Sequence, residues 1–184
     1  MLIAKGRLGM RPSWDEYFLA IAQVVASRSV CLRHQIGAVI VNGDQQILST
    51  GYNGPPRGMK HCAERGGCIR QAKGVLSGTR QEYCYGLHAE QNAIVQAARE
   101  GIRLLGSTLY CTYKPCSLCA RMIVNAGIRE VHFFADYPDE LTQTILTEGG
   151  VTSVKWDGPT SGLESSAKEV RANGHISGEE GTAS

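Results

Sequence analysis

STLYCTYKPCSLCARMIVNAGIREVHFFA, residues 107–135, decides the architecture. Residues 107–112 are β-branched, apolar and aromatic and predict a strand, 116–126 have helical spacing, and 129–135 predict a second strand. Strand, helix and strand at such short spacing imply that the two strands run parallel. Toward the C-terminus, 140–146 predict a helix and 151–156 an edge strand. Toward the N-terminus, 88–99 predict a helix through Ala89, Ala93, Ile94, Ala97 and Ala98. Residues 37–41 and 46–52 predict two strands around Asn42-Gly43-Asp44, and Asn-Gly between such runs marks an antiparallel hairpin. Ser13-Trp14-Asp15-Glu16 reads as a capping box, opening a helix to about residue 27 through Tyr17, Phe18, Ile21, Val24 and Val25. The expected fold class is α/β: a three-layer α/β/α sandwich with a mixed five-stranded sheet.

The 184 residues suit one ordinary domain, expected over 13–156, after an N-terminal extension of 1–12 in which Met10 is an alternative start. From Asp157 the chain turns to Ser, Gly, Glu and other small residues, too poor in apolar surface to offset its ordering entropy, so 157–184 read as a disordered tail. Nineteen basic against seventeen acidic side chains leave a formal charge of +2, which disfavours a binder of nucleic acid or of a membrane surface. No apolar run approaches the roughly 20 residues that span a bilayer. The opening also lacks the long apolar stretch of a signal peptide, so a cytoplasmic protein is expected. Seven cysteines in a reducing compartment then point to metal or catalysis rather than to disulfides.

Two short pieces carry the chemistry. His88-Ala89-Glu90 opens one predicted helix, and Pro115-Cys116-Ser117-Leu118-Cys119 opens the next. Cys116 and Cys119, at i and i+3, can present both sulfurs to one ion from one helix face. Residues two apart diverge, so His88 and Glu90 cannot both bind laterally; the ion must lie off the first turn. Two helix amino ends would favour the thiolate form of both cysteines. One imidazole and two thiolates make a neutral zinc site with an open fourth position, where bound water ionises near neutral pH. Glu90 is then placed to relay protons rather than to bind metal. Alone, Cys116-x-x-Cys119 reads as a redox pair or half of a structural zinc site, and a lone His-x-Glu as incidental. Together, each opening a helix, they make the H-x-E…P-C-x-x-C pattern of the zinc nucleobase deaminases.

With these motifs, Gly37-Ala38-Val39-Ile40-Val41, Gly51-Tyr52-Asn53-Gly54-Pro55-Pro56 and His88-Ala89-Glu90-Gln91-Asn92-Ala93-Ile94, the chain resembles the deoxycytidylate (dCMP) deaminases of the cytidine-deaminase-like superfamily. The resemblance runs from about Trp14 to Val154. It implies a cytidine-deaminase-like fold, catalytic Zn2+ on His88, Cys116 and Cys119, and Glu90 as the catalytic proton shuttle. It implies hydrolysis of dCMP to dUMP and ammonia, supplying dUMP for thymidylate synthesis. It also implies a homo-oligomer, commonly a hexamer, under dCTP and dTTP control, with residues 54–58 in the controlling region.

Cys31, Cys62, Cys68 and Cys84 suffice for a second, structural Zn2+ that would order the long segment 53–87, with His61 able to replace one thiolate. The resemblance points the same way, since family members often carry a second zinc in this region. Four unrelated thiols are the simpler alternative, and Cys111, within a strand, reads as a buried free thiol. Asn53 can donate and accept at once and suits a sugar hydroxyl or pyrimidine edge, although Asn-Gly is also a common turn. Asn53, Ala89 and Tyr137 are the candidate substrate contacts, and Arg57, Lys60 and Lys114 candidate phosphate partners. A deaminase of another cytosine nucleotide or nucleoside, or of transfer-RNA adenosine, is the first alternative. Nucleoside enzymes typically carry a third cysteine where this chain has His88, and an RNA editor would be more basic and aromatic. A non-enzymatic zinc-stabilised module is the second, and it lacks an evident fourth ligand.

Overall fold

The computed structural model describes residues 11–76 and 78–158, so the readings for Met10 and for 159–184 lie outside the described residues. Helix α1 (Trp14–Ala26) begins where Ser13 Oγ accepts the Glu16 N–H at 3.2 Å, the Ser13 side of the expected capping box. Strands β1 (Gly37–Val41) and β2 (Ile47–Tyr52) pair antiparallel. Their hairpin differs from a tight Asn-Gly turn. Asn42 Oδ1 accepts the N–H groups of Asp44 at 3.0 Å and Gln46 at 2.9 Å, and the positive φ falls on Gln45, at 63°. The asparagine side chain stands in for a backbone turn and widens the loop.

The sheet runs β2-β1-β3-β4-β5, with β3 at Thr108–Tyr113, β4 at Glu130–Ala135 and β5 at Thr152–Lys155. β3 is antiparallel to β1, whereas β3, β4 and β5 are mutually parallel, as the strand–helix alternation requires. Alternate residues of β1 serve opposite layers. Val39 and Val41 pack with Phe18, Leu19 and Ala22 of α1. Ala38 and Ile40 pack toward α3 (Ala89–Arg99) and α4 (Ser117–Asn125), whose layer also takes Leu146 of α5 (Glu140–Glu148). With both faces covered, all five residues of β1 are buried.

Two glycines set how closely the layers approach. A Cβ on Gly37 would lie 2.0 Å from Ala22 O of α1, and one on Gly51 would lie 2.2 Å from Ala89 O of α3. Gly51 therefore lets the amino end of α3, with His88 and Glu90, rest directly on β2.

Segment 53–87 has local structure of its own: 3₁₀ turns at Ala63–Arg65 and Gln81–Tyr83 around a short α2 (Ile69–Ala72). It closes on itself where Gly54 N donates to Leu87 O at 3.1 Å and Leu87 N to Gly54 O at 2.9 Å. Among the described residues no helix is long and apolar enough to cross a membrane.

Candidate active site

His88 is the N-cap of α3 and Cys116 the N-cap of α4, so the two helices point their amino ends at one place. Gln91 Oε1 accepts the His88 N–H at 2.9 Å, which fixes the turn that carries the imidazole. His88 Nδ1 lies 3.4 Å from Cys116 Sγ and 3.3 Å from Cys119 Sγ. Among the described residues this trio forms a possible metal-holding group, its ligand atoms all within 4.8 Å of one another. A tetrahedral zinc with ordinary Zn–N and Zn–S lengths would set nitrogen and sulfur about 3.6 Å apart, so the donors stand nearly where zinc requires them.

The electrostatics agree. Cys116 is pushed down to about 4, chiefly by the hydrogen bond from Cys119 and, against its burial, by His88. Cys119 is held well above the ordinary thiol value by that same bond and by burial. The two sulfurs share a proton that a divalent cation would displace. Burial opposes charge on His88, but the Cys116 hydrogen bond and the charges of Glu90 and Cys116 outweigh it and raise the imidazole. Glu90 is 4% exposed and outside the ligand trio. Burial raises its carboxyl, with the charge of His88 and a Cys119 hydrogen bond opposing.

His88, Glu90 and Cys116 line a cavity of about 100 Å³. Asn53, Lys114 and Tyr137 line it too, whereas Arg57, Lys60 and His61 are exposed and stand off its wall. Ala89 is fully buried with its methyl in the core. Asn53 has a structural task that its motif did not disclose. Its Oδ1 accepts from Ser29 Oγ at 2.6 Å and Ile36 N at 2.8 Å, and its Nδ2 donates to His34 O at 2.8 Å. It thus clamps the loop between α1 and β1 onto the cavity rim.

Cys31, Cys62, Cys68 and Cys84 line the same cavity, and none is in a disulfide. They are close enough that the other three all raise Cys62, after burial as the larger cause. They do not reach the mutual 4.8 Å of the His88 trio. Cys111 is fully buried.

The structure adds residues to which no local signal pointed. Arg33, His34 and Arg70 also line the cavity. Arg70 donates to Leu76 O at 3.0 Å, and its Nε is buried without a hydrogen-bond partner among the described residues. Gln81 reaches both Cys116 and Tyr137. Asp139 Oδ2 accepts the Ser117 N–H at 2.8 Å, holding the turn that presents Cys116.

The zinc-binding region of the cytidine and deoxycytidylate deaminases matches residues 12–135. The deoxycytidylate deaminase of Schizosaccharomyces pombe is 41% identical over 142 residues, 77% of this chain and 43% of that one. A Mycobacterium phage deoxycytidylate deaminase is 42% identical over 127 residues, 66% of this chain and 94% of the phage protein. The chain thus spans less than half the length of the Schizosaccharomyces pombe relative and nearly all of the phage one. The crystal structure of the cyanophage S-TIM5 dCMP deaminase in complex with dCMP and dUMP superposes with a TM-score of 0.67 at 32% identity, covering 80% of this chain and 99% of that one.

Proposed function

The chain belongs to the cytidine and deoxycytidylate deaminase zinc-binding family, and from that premise we propose that it hydrolyses dCMP to dUMP and ammonia. The observation that carries the reading is a buried acid, Glu90, beside a His88–Cys116–Cys119 trio, with Glu90, His88 and Cys116 lining one cavity. In this reading His88, Cys116 and Cys119 hold Zn2+. When bound there, the ion would lower the pKa of a water so that it can act as the nucleophile at neutral pH. Glu90 takes the proton that the water gives up as its oxygen bonds to C4 of the pyrimidine, and delivers it to N3. Glu90 then takes the remaining proton from the new C4 hydroxyl and passes it to the amino group, so that the C4–N bond breaks with loss of ammonia and the carbonyl of dUMP remains. A carboxylate bound to the metal could not alternate in this way, which is why its place outside the trio matters.

The cavity wall offers the remaining contacts. As the first residue of α3, Ala89 has an N–H with no acceptor in its own helix, suited to a pyrimidine carbonyl. Tyr137 covers the base, and Asn53, by clamping 29–36, shapes the sugar side. Arg33, Arg70 and Lys114 meet the monophosphate, and the buried Arg70 Nε is the donor that most needs a partner. A cytoplasmic enzyme, a homo-oligomer of the hexameric kind and control by dCTP and dTTP complete the proposal, as does the division into 1–12, 13–156 and 157–184.

The test is ammonia release on dCMP, CMP, dCTP, deoxycytidine and a transfer-RNA substrate, each with and without dCTP and dTTP. Preference for dCMP is the expected result. Preference for another member would move the substrate assignment and leave the chemistry standing, and no release from any would sink both.

A further inference from the structure

Gln81 has no part in the reaction as described, yet its side chain touches two of the groups that do. Cys116 Sγ lies 3.6 Å from Oε1, and Nε2 donates to the Tyr137 hydroxyl at 3.2 Å. On the far side, Asp139 N donates to Tyr137 O at 2.9 Å, and Ser117 N donates to Asp139 Oδ2 at 2.8 Å. Ser117 follows Cys116 in the chain, so Cys116, Gln81, Tyr137, Asp139 and Ser117 close a ring of contacts. That ring joins the metal-ligand turn before α4 to the loop between β4 and α5.

We propose that Gln81 is the positioning residue that closes this ring, holding the Cys116 thiolate with its amide N–H while accepting the Tyr137 hydroxyl. The inference rests on reading His88, Cys116 and Cys119 as metal ligands. A coordinating thiolate has no proton and can only accept. A carboxamide meets that demand by turning over: Nε2 donates to sulfur, and Oε1 accepts from the tyrosine. The tyrosine hydroxyl serves either orientation because it both donates and accepts. A glutamate at this position could accept from Tyr137, but it would offer sulfur no donor and would set a like charge beside it. Outer partners of this kind orient a ligand and tune its basicity.

The test uses the full-length protein loaded with Co2+ in place of zinc. It reads the thiolate-to-cobalt charge-transfer band, together with the dissociation constant by competition with a chelator. Gln81→Glu is expected to weaken binding by about 10- to 100-fold, as loss of outer-shell partners does, and to shift the band. Gln81→Met, of similar length without an N–H, should weaken it less. Adding Tyr137→Phe to Gln81→Met should cost no more than Gln81→Met alone, because the ring is already open. If Gln81→Glu fails to fold, Gln81→Met and Tyr137→Phe carry the comparison. Binding within twofold of the unaltered protein with an unshifted band in the Gln81 variants would overturn the inference. Absence of any thiolate band in the unaltered protein would instead overturn the ligand reading, and this inference with it.

Discussion

Glu90 is an acid buried beside the His88–Cys116–Cys119 trio at the cost of desolvation, and the proposed proton shuttle gives that placement a purpose. Glu90→Gln keeps the shape and the hydrogen bonds but cannot carry a proton. Ammonia release from dCMP should fall by on the order of 10²- to 10⁴-fold, while zinc measured by metal analysis stays at the unaltered level. Substantial remaining turnover would refute the assignment. Asp139 acts at the same scale through the backbone. Burial opposes its ionisation, but the Ser117 N–H and the first turn of α5 outweigh that and hold the carboxyl below the usual range. Its folded-state value is below the unfolded one, so the stabilisation is complete above about pH 4 and is lost as pH falls through the folded value. Asp139→Ala should cost about 1 kcal/mol at pH 7, like the loss of a helix cap. The difference from the unaltered protein should shrink when urea denaturation is repeated near pH 3; an equal difference at both pH values would count against the carboxylate.

At the scale of elements, the site exists because two helix amino ends are held against the sheet at fixed distance. Gly51 is what allows α3 to approach β2, and Gly37 does the same for α1 on the opposite face. A methyl group at either position meets helix backbone rather than a flexible side chain, so the helix must move. Gly51→Ala and Gly37→Ala should each lower stability by about 1–3 kcal/mol in chemical denaturation, as overpacking does. They should differ in metal binding. Gly51→Ala displaces the turn carrying His88 and should weaken zinc retention against a chelator, whereas Gly37→Ala should leave it unchanged in the folded molecules. Equal effects on zinc would mean that α3 is not positioned by its contact with β2.

For the whole molecule, the long segment 53–87 closes through the Gly54–Leu87 backbone pair and carries three of the cysteines at the cavity wall. Four cysteines of this region and its neighbour, Cys31, Cys62, Cys68 and Cys84, gather at the wall of the cavity that His88, Glu90 and Cys116 also line, without closing to ligand distance. If they hold a second zinc, freshly purified protein should contain two zinc ions per chain, and Cys62→Ser with Cys84→Ser should reduce this to one. A single ion in the unaltered protein would remove the idea. Because metal binding to the folded chain adds to folding stability, a strong chelator should also lower the melting temperature, and by more in a two-zinc protein than in the double variant.

What the sequence determined by itself was whatever depends on short spacing. The strand–helix–strand run over 107–135 fixed the parallel half of the sheet. The i and i+3 cysteines and the histidine two residues before Glu90 marked the metal site, because a helix places near neighbours in known directions. Asn42 showed the limit even locally: the Asn-Gly hairpin was legible, but its side chain moved the positive φ to Gln45. Tertiary structure decided the rest. Gln81 meets Cys116 across 35 residues and Tyr137 across 56, and Asp139 meets Ser117 across 22. Asn53 became a clamp only because 29–36 folds back over it, and Arg33 from that loop and Arg70 from the long segment meet at one cavity only through the packing of the two. Periodicity and motif spacing encode which face of an element a residue occupies. Which distant backbone or side chain then meets that face depends on how the layers pack, and no local pattern carries that information.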